Sequence, residues 1–117
     1  DYGIRCVGAD LPFLTNIPLS KLKGSAYSIL QNSYIIESKE LFWNRVGFID
    51  TASHIHRLNI PVMLSAGGED DTCPAETIIK LYEQLNCTKQ LTFLKDQIHT
   101  HSRSSMYLFG AWFKMFA

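Results

Sequence analysis

Short apolar runs that end at turn-forming residues predict three strands in this chain. They cover residues 4–9, 62–66 and 89–94, and the second run stops at Gly67 and Gly68. Continuous apolar runs of this length are typical of strands buried on both faces of a parallel sheet. We therefore expect the first strand to be central in the sheet and the second to be fully buried.

Apolar residues at helical spacing predict helices in the segments between and after the strands. Residues 18–47 form a predicted helical insert or cap region, whose second apolar stripe consists of Leu41, Phe42, Val46 and Ile49. A further helix begins at Pro74, which suits a first helical turn because its missing N–H needs no partner there. The last helix opens around Ser102 and carries on one side Leu108, Ala111, Trp112 and Met115.

The alternation of strands and helices predicts an α/β fold. The order is strand, helical insert, strand, helix, strand, helix. Crossovers between parallel strands are right-handed, so the helices would cover both faces of a mostly parallel, doubly wound sheet. One such domain accounts for residues 1–117, without an internal repeat, a low-complexity segment or a linker.

Composition and charge argue against several classes of protein. The chain has 11 basic and 11 acidic residues, so no basic stripe is available to bind nucleic acid or an anionic membrane. No apolar run approaches the roughly 18 residues that a membrane span needs. Cys6, Cys73 and Cys87 form no CxxC motif and are odd in number, which favours a cytoplasmic location over a disulfide framework. Because an apolar stretch begins almost at once and no initiator Met precedes it, we expect a piece of a longer protein.

The residues that follow the second and third strands carry the candidate chemistry. In open parallel sheets the ligand site lies beyond the carboxyl ends of the strands. Glu69, Asp70 and Asp71 follow the second strand, and His99 and His101 follow the third. An α/β-hydrolase presents its catalytic acid and base in this order, and the carboxylate orients the imidazole that activates a serine.

Two motifs resemble the acetyl xylan esterase and cephalosporin C deacetylase family. The family's Gly-x-x-Asp-x-x-Cys-Pro hallmark is matched by Gly67, Asp70, Cys73 and Pro74, between a predicted strand and a predicted helix. Residues 9–14 (ADLPFL) resemble the segment that follows the strand after the nucleophile in that family. The resemblance covers nearly the whole chain, and it implies the C-terminal part of an α/β-hydrolase.

The resemblance also implies roles for individual residues. Asp70 would be the catalytic acid and His99 the base, with His101 as the alternative base because the family's Gly-His-Glu is replaced here by Ile-His-Thr. The family's Gly-x-Ser-x-Gly nucleophile motif does not occur in this sequence and is expected upstream of Asp1, together with the oxyanion-hole donors. The chain therefore resembles a fragment that bears two thirds of a catalytic triad.

For the parent protein, the resemblance implies a serine-type carboxylic ester hydrolase. It would need no cofactor and would act on a small acetylated sugar or a similar ester. We expect association with the missing N-terminal portion or with a second copy as a homo-oligomer, because a half-sheet leaves an apolar strand edge uncovered. Two alternatives stay open: a peptidase or dienelactone-type hydrolase, and a non-catalytic interaction module without a nucleophile.

Three of the residues around the candidate acid have simple structural interpretations. We expect Glu69 and Asp71 to be solvated residues of a turn. We expect Cys73 to be a small apolar residue buried against the start of the following helix. A role for Cys73 as a nucleophile is disfavoured because no imidazole is evident in its local reach.

Histidine spacing raises the question of a zinc site. The chain has two His-x-His pairs, namely His54 with His56 and His99 with His101. Cys87 or Asp70 could complete a ligand set of the kind that zinc prefers. However, residues two apart on a helix point about 200° apart, so the first pair would not converge on one ion. We therefore predict no metal site.

Overall fold

The computed structural model of the protein describes residues 3–13, 15–20 and 39–117. Its sheet has three parallel strands in the order β1-β2-β3, where β1 is Val7–Ala9, β2 is Val62–Gly67 and β3 is Lys89–Leu94. Val7 lies opposite Val62, which in turn lies opposite Lys89. The predicted parallel sheet is confirmed, and the carboxyl ends of all three strands lie at the same edge.

Helices precede and follow each of the last two strands. In chain order the helices are α1 at Ile17–Ser20, α2 at Lys39–Ile49, α3 at Ala75–Gln84 and α4 at Arg103–Phe116. Short 3-10 turns at Thr51–Ser53 and Ile55–Arg57 lead from α2 towards β2. Residues 21–38 of the predicted insert lie outside the described residues, so its role as a cap stays a prediction. Among the described helices, none has the length and apolar character to cross a bilayer.

The two faces of β2 pack against different helices because side chains alternate across a strand. Val62, Leu64 and Ala66 belong to a core that includes Ile78 and Leu81 of α3. Met63 belongs to a second core, with Phe109 and Trp112 of α4. All six residues of β2 are buried, so the prediction of a fully buried second strand is confirmed.

The first strand is shorter and less buried than its sequence predicts. Only Val7–Ala9 pairs with β2, and all three residues are partly exposed. Within the described part of the chain β1 is an edge strand rather than a central one. Ile4, in the predicted strand, is 75% exposed. The predicted strand is longer and more buried than the observed one, because an apolar run does not reveal which neighbouring element covers it.

The buried face of α4 also differs from the predicted stripe. Of the predicted residues only Trp112 is buried, whereas Leu108 is 40% and Met115 is 71% exposed. The helix lies against β1 at Gly8, where an added Cβ would stand 2.7 Å from Cδ1 of Phe109. The missing side chain of Gly8 therefore admits Phe109 and selects the face of the helix that is buried.

The apolar stripe predicted for α2 is also only partly buried. Val46 is buried, but Leu41 is 45% and Ile49 is 53% exposed. The reason is that, among the described elements, α2 contacts chiefly the first 3-10 turn at Thr51–Ser53. Immediately after α2, Asp50 is buried, and its carboxylate accepts hydrogen bonds from three backbone N–H groups, those of Asn16, Ile17 and Ala52. Asp50 thereby joins the segment after β1 to the start of the first 3-10 turn.

Candidate active site

Asp70 and His99 meet at the carboxyl edge of the sheet. Asp70 lies in the turn after β2, and His99 lies in the turn after β3. Nδ1 of His99 is 2.8 Å from Oδ2 of Asp70. The side chain of Asp70 is fully buried, whereas that of His99 is 39% exposed. The pair thus combines a desolvated carboxylate with an imidazole that solvent or a substrate can reach.

The second oxygen of Asp70 is held by the backbone of its own turn. Oδ1 accepts hydrogen bonds from the N–H groups of Thr72 at 2.9 Å and Cys73 at 2.8 Å. A buried carboxylate needs such donors, because an ionised group without partners is costly to remove from water. These bonds fix the carboxylate and leave Oδ2 directed to His99.

Backbone contacts hold the acid turn directly against the base turn. The N–H of Gly68 donates to the carbonyl of Leu94, and the N–H of Glu69 donates to the carbonyl of Gln97. A Cβ added at Gly67 would lie 2.5 Å from the carbonyl oxygen of Gln97. A Cβ added at Gly68 would lie 2.1 Å from the carbonyl oxygen of Lys95. Glycine is therefore required at both positions for the two turns to approach this closely.

The geometry sets the chemical state of His99. As an ionised carboxylate Asp70 can only accept hydrogen bonds, so Nδ1 of His99 carries the proton that it donates. The remaining ring nitrogen, Nε2, then holds a lone pair that can accept a proton. An imidazole oriented by a carboxylate in this way is the general base of serine hydrolases.

Cys73 lies closer to the imidazole than its sequence position suggests. One possible ligand atom each from Asp70, Cys73 and His99 lies within 4.8 Å of the others, so the expectation of no imidazole in local reach is wrong. The turn folds back on β3, which sequence distance does not show. As predicted, Cys73 is buried in the core beside α3. Burial, and then the nearby Asp70 carboxylate, raises the pKa of its thiol to about 12. Cys73 is therefore protonated near neutrality and unsuited to be a nucleophile.

Asp70, Cys73 and His99 are also the group of described residues best placed to hold a metal ion. An ion there would have to displace the hydrogen bond between Asp70 and His99 and the proton of the Cys73 thiol, because metal ligands must be deprotonated. The arrangement therefore favours an acid–base pair over a metal centre. The His54 ring instead contacts the backbone oxygen of Phe48 through Nε2.

A second histidine–carboxylate pair lies at the same edge of the sheet. Nδ1 of His101 is 2.6 Å from Oδ2 of Asp10, which follows β1. The other oxygen of Asp10 accepts a hydrogen bond from the Ser65 hydroxyl of β2. The Ser65 oxygen in turn accepts from the N–H of Leu11. Asp10 and Ser65 are not among the site residues predicted from the sequence, although Asp10 follows the first strand directly, in the position where ligand sites of parallel sheets lie.

The two pairs differ in burial. The side chain of His101 is 81% exposed and that of Asp10 is 15% exposed, so this pair is much more open to water than the first. Asp70 is the more desolvated carboxylate, and buried charges act on their partners more strongly than exposed ones. The comparison favours His99 over His101 as the base. Glu69 and Asp71 are exposed, as predicted.

Comparison with known proteins connects this site to a family. The chain matches the family model of acetyl xylan esterase (AXE1) over residues 2–110. No curated protein sequence matches it significantly. Among solved structures it resembles acetyl xylan esterase 1 from Thermoanaerobacterium sp. JW/SL YS485, with 22% identity and a TM-score of 0.77 over 97% of this chain.

Two further solved structures show the same fold. Acetyl xylan esterase from Paenibacillus sp. R4 is 18% identical, with a TM-score of 0.87 over 100% of this chain. Puromycin hydrolase is 20% identical, with a TM-score of 0.66 over 87% of this chain and 16% of its own. The chain spans 37% and 39% of the lengths of the two acetyl xylan esterases. On the match of the family model to nearly all of its residues, the chain belongs to the acetyl xylan esterase (AXE1) family.

Proposed function

We propose that this chain provides the acid and the base of a serine-type carboxylic ester hydrolase that removes acetyl groups from sugars. The observation that carries the proposal is the contact between buried Asp70 and accessible His99 at the carboxyl ends of β2 and β3. Membership of the acetyl xylan esterase family supports the choice of an acetylated sugar as substrate. The serine would come from sequence outside these 117 residues, which contain no Gly-x-Ser-x-Gly motif.

In this mechanism His99 moves one proton in each half of the reaction. Its Nε2 removes the proton of the serine hydroxyl as the serine oxygen attacks the acetyl carbon. The same proton then passes to the departing sugar oxygen when the ester bond breaks, which leaves an acetyl-enzyme. Water repeats the sequence, with His99 as base and then as acid, and releases acetate and the free serine.

Asp70 acts on this chemistry through His99. Its carboxylate keeps the proton on Nδ1, so that Nε2 is the nitrogen that accepts a proton, and it stabilises the imidazolium that forms. The hydrogen bonds from Thr72 and Cys73 hold Asp70 in place throughout. Because Asp70 is fully buried, water does not compete for its oxygens.

Two substitutions in the full-length protein test the proposal. Asp70→Asn should lower kcat for p-nitrophenyl acetate by about 10⁴-fold, because an amide can donate to Nδ1 and select the wrong tautomer. His99→Ala should cause a loss at least as large. The matched control is Asp71→Asn, which makes the same change at an exposed neighbouring carboxylate and should leave the rate unchanged.

Labelling with a fluorophosphonate separates the esterase from a non-catalytic module. The probe should react with a serine outside the present 117 residues, and peptide mapping would locate it. Labelling should become much slower in His99→Ala, because the serine is then not activated. An unlabelled full-length protein, or full activity in Asp70→Asn, would refute the proposed function. Comparison of acetylated xylo-oligosaccharides with amide substrates would separate the esterase from a peptidase.

A further inference from the structure

We propose that Asp10 and His101 are positioning residues that hold the turn of the catalytic base in place. This inference rests on the proposed function, because it assigns a role through His99. Their contact joins the end of β1 to a residue two positions after His99. It is separate from the pair formed by Asp70 and His99, with which it shares no side chain.

The base turn needs support because His99 itself is not packed. The side chain of His99 is 39% exposed, so its position depends strongly on its bond to Asp70 and on the path of its backbone. Before His99, the Gln97 backbone bonds to both Leu94 and Glu69. After His99, the side-chain amide of Gln97 donates to the carbonyl oxygen of Thr100 at 2.8 Å. These contacts fix the turn as far as Thr100.

His101 fixes the far side, where the chain leaves the turn for α4. Asp10 reaches it from β1, and Ser65 holds Asp10 through a hydrogen bond to Oδ1. Ser65 is fully buried in the middle strand, so this chain of bonds ends in the rigid part of the sheet. His99 is thus held between two contacts, one through Gln97 and the other through His101.

The turn after β1 is itself held in a demanding conformation. Leu11 has a φ of 48°, in the left-handed region that residues with a side chain rarely adopt. Its N–H donates to Ser65, and its side chain is buried. Strained residues of this kind persist where the surroundings determine them, and they cluster at functional sites. Asp10, directly before Leu11, is therefore presented to His101 by a fixed backbone.

Because His101 is exposed, its role in positioning can be tested separately from the stability of the fold. Its side chain is 81% exposed, and a polar contact with so exposed a side chain contributes little to the stability of a fold. Removing it should therefore leave the unfolding transition unchanged while the turn gains freedom. Small displacements matter here, because a misplacement of about 1 Å can cost about 10²-fold in rate.

His101 also lines a cavity of about 450 Å³, together with Ser102, Arg103, Met106 and Tyr107. If His101 bound the substrate there, its loss would raise KM and leave kcat alone. If it positions His99, its loss lowers kcat and leaves KM alone. The two roles therefore predict opposite kinetic results.

The test uses the full-length protein with p-nitrophenyl acetate and an acetylated xylo-oligosaccharide. His101→Ala should lower kcat by about two- to fivefold, the range that loss of a contact with an exposed side chain allows, with KM unchanged. His101→Asn should restore most of the rate, because the asparagine Nδ2 takes the place of the histidine Nδ1 and donates to Asp10. His56→Ala, which removes an exposed histidine elsewhere, should have no effect.

A double-substitution cycle tests whether the two residues act as a pair. Asp10→Ala should lower kcat about as much as His101→Ala, and the double variant should lose no more than either alone. The imidazole nitrogens of His99, observed by ¹⁵N NMR, should show a protonated Nδ1 in the parent protein. In His101→Ala a mixture of tautomers should appear, a change that loss of an unrelated surface residue would not produce.

Three results would overturn the inference, and each has a distinct meaning. A rise in KM alone would assign His101 to substrate binding. If His101→Asn is inactive while His99→Ala is active, His101 is the base, and the proposed function is overturned as well. If His101→Ala has unchanged kinetics while His99→Ala is inactive, the positioning role is refuted and the proposed function stays intact.

Discussion

Replacing Gly68 with alanine tests how closely the acid turn must approach the base turn. A Cβ at this position would lie 2.1 Å from the carbonyl oxygen of Lys95 and 2.9 Å from its carbonyl carbon. Both atoms belong to the backbone, so no side-chain rotation can relieve the contact. The N–H of Gly68 also donates to the Leu94 carbonyl at 2.9 Å, which holds the two segments together.

The size of the effect follows from that distance. Ordinary van der Waals contact begins at 3.4 Å, so the turns after β2 and β3 must separate by about 1 Å. Overpacking of this kind destabilises a protein by about 1–3 kcal/mol. Because Asp70 and His99 lie on the two separated turns, we also expect kcat to fall by about 10²-fold.

The assay combines urea unfolding with ester hydrolysis in the full-length protein. Gly110→Ala is the matched control, because nothing lies within 4 Å of its added Cβ and Gly110 lies inside α4. That control should stabilise the protein by about 0.5–1 kcal/mol, since alanine is the better helix former. If Gly68→Ala kept both full stability and full kcat, the two turns would not be in the close contact described here.

Three further predictions concern buried groups outside the reacting pair. Asp50→Ala should lower the free energy of unfolding by about 3 kcal/mol, because three backbone N–H groups lose their acceptor at about 1 kcal/mol each. A urea midpoint equal to that of the parent would contradict this prediction. Cys73 should resist iodoacetamide at pH 8 in the folded protein while partly exposed Cys87 reacts, because the raised pKa of Cys73 suppresses its thiolate. The Cys73 thiol keeps its proton up to about pH 12 in the folded protein, whereas it loses the proton near pH 9.0 in the unfolded chain. The free energy of unfolding should therefore fall as the pH rises from about 9.0 to about 12. Equal labelling of both cysteines by mass spectrometry would refute the reasoning.

Several elements of the fold follow from local sequence patterns. The third strand has the predicted bounds at Lys89–Leu94, and the last helix begins after Ser102, which caps it by accepting from the N–H of Ser105. Such elements are predictable because turn residues and caps act over a few positions. The turns after β2 and β3 are predictable as site positions in the same way, since parallel strands bring their carboxyl ends to one edge, whereas the choice of Asp70 and His99 within them rests on the resemblance to a family.

Other features depend on which elements pack together, and no local pattern encodes that. The apolar stripe of α4 was predicted on a different face because contacts with distant residues, Gly8 and Met63 among them, decide that Phe109 is buried. The proximity of Cys73 to His99 depends on the turn after β2 folding back on β3. In both cases the deciding partner lies far away along the chain.

By itself, the sequence determined the parallel α/β arrangement and the buried middle strand, and its resemblance to a family indicated the two residues proposed as acid and base. Only the tertiary structure decided that Asp10 and His101 meet, because they are 91 positions apart. Their contact depends on the register of β1 against β2 and on the Ser65 hydroxyl between them. Local propensities act over a few residues, whereas a contact of this kind exists only after the whole sheet has assembled.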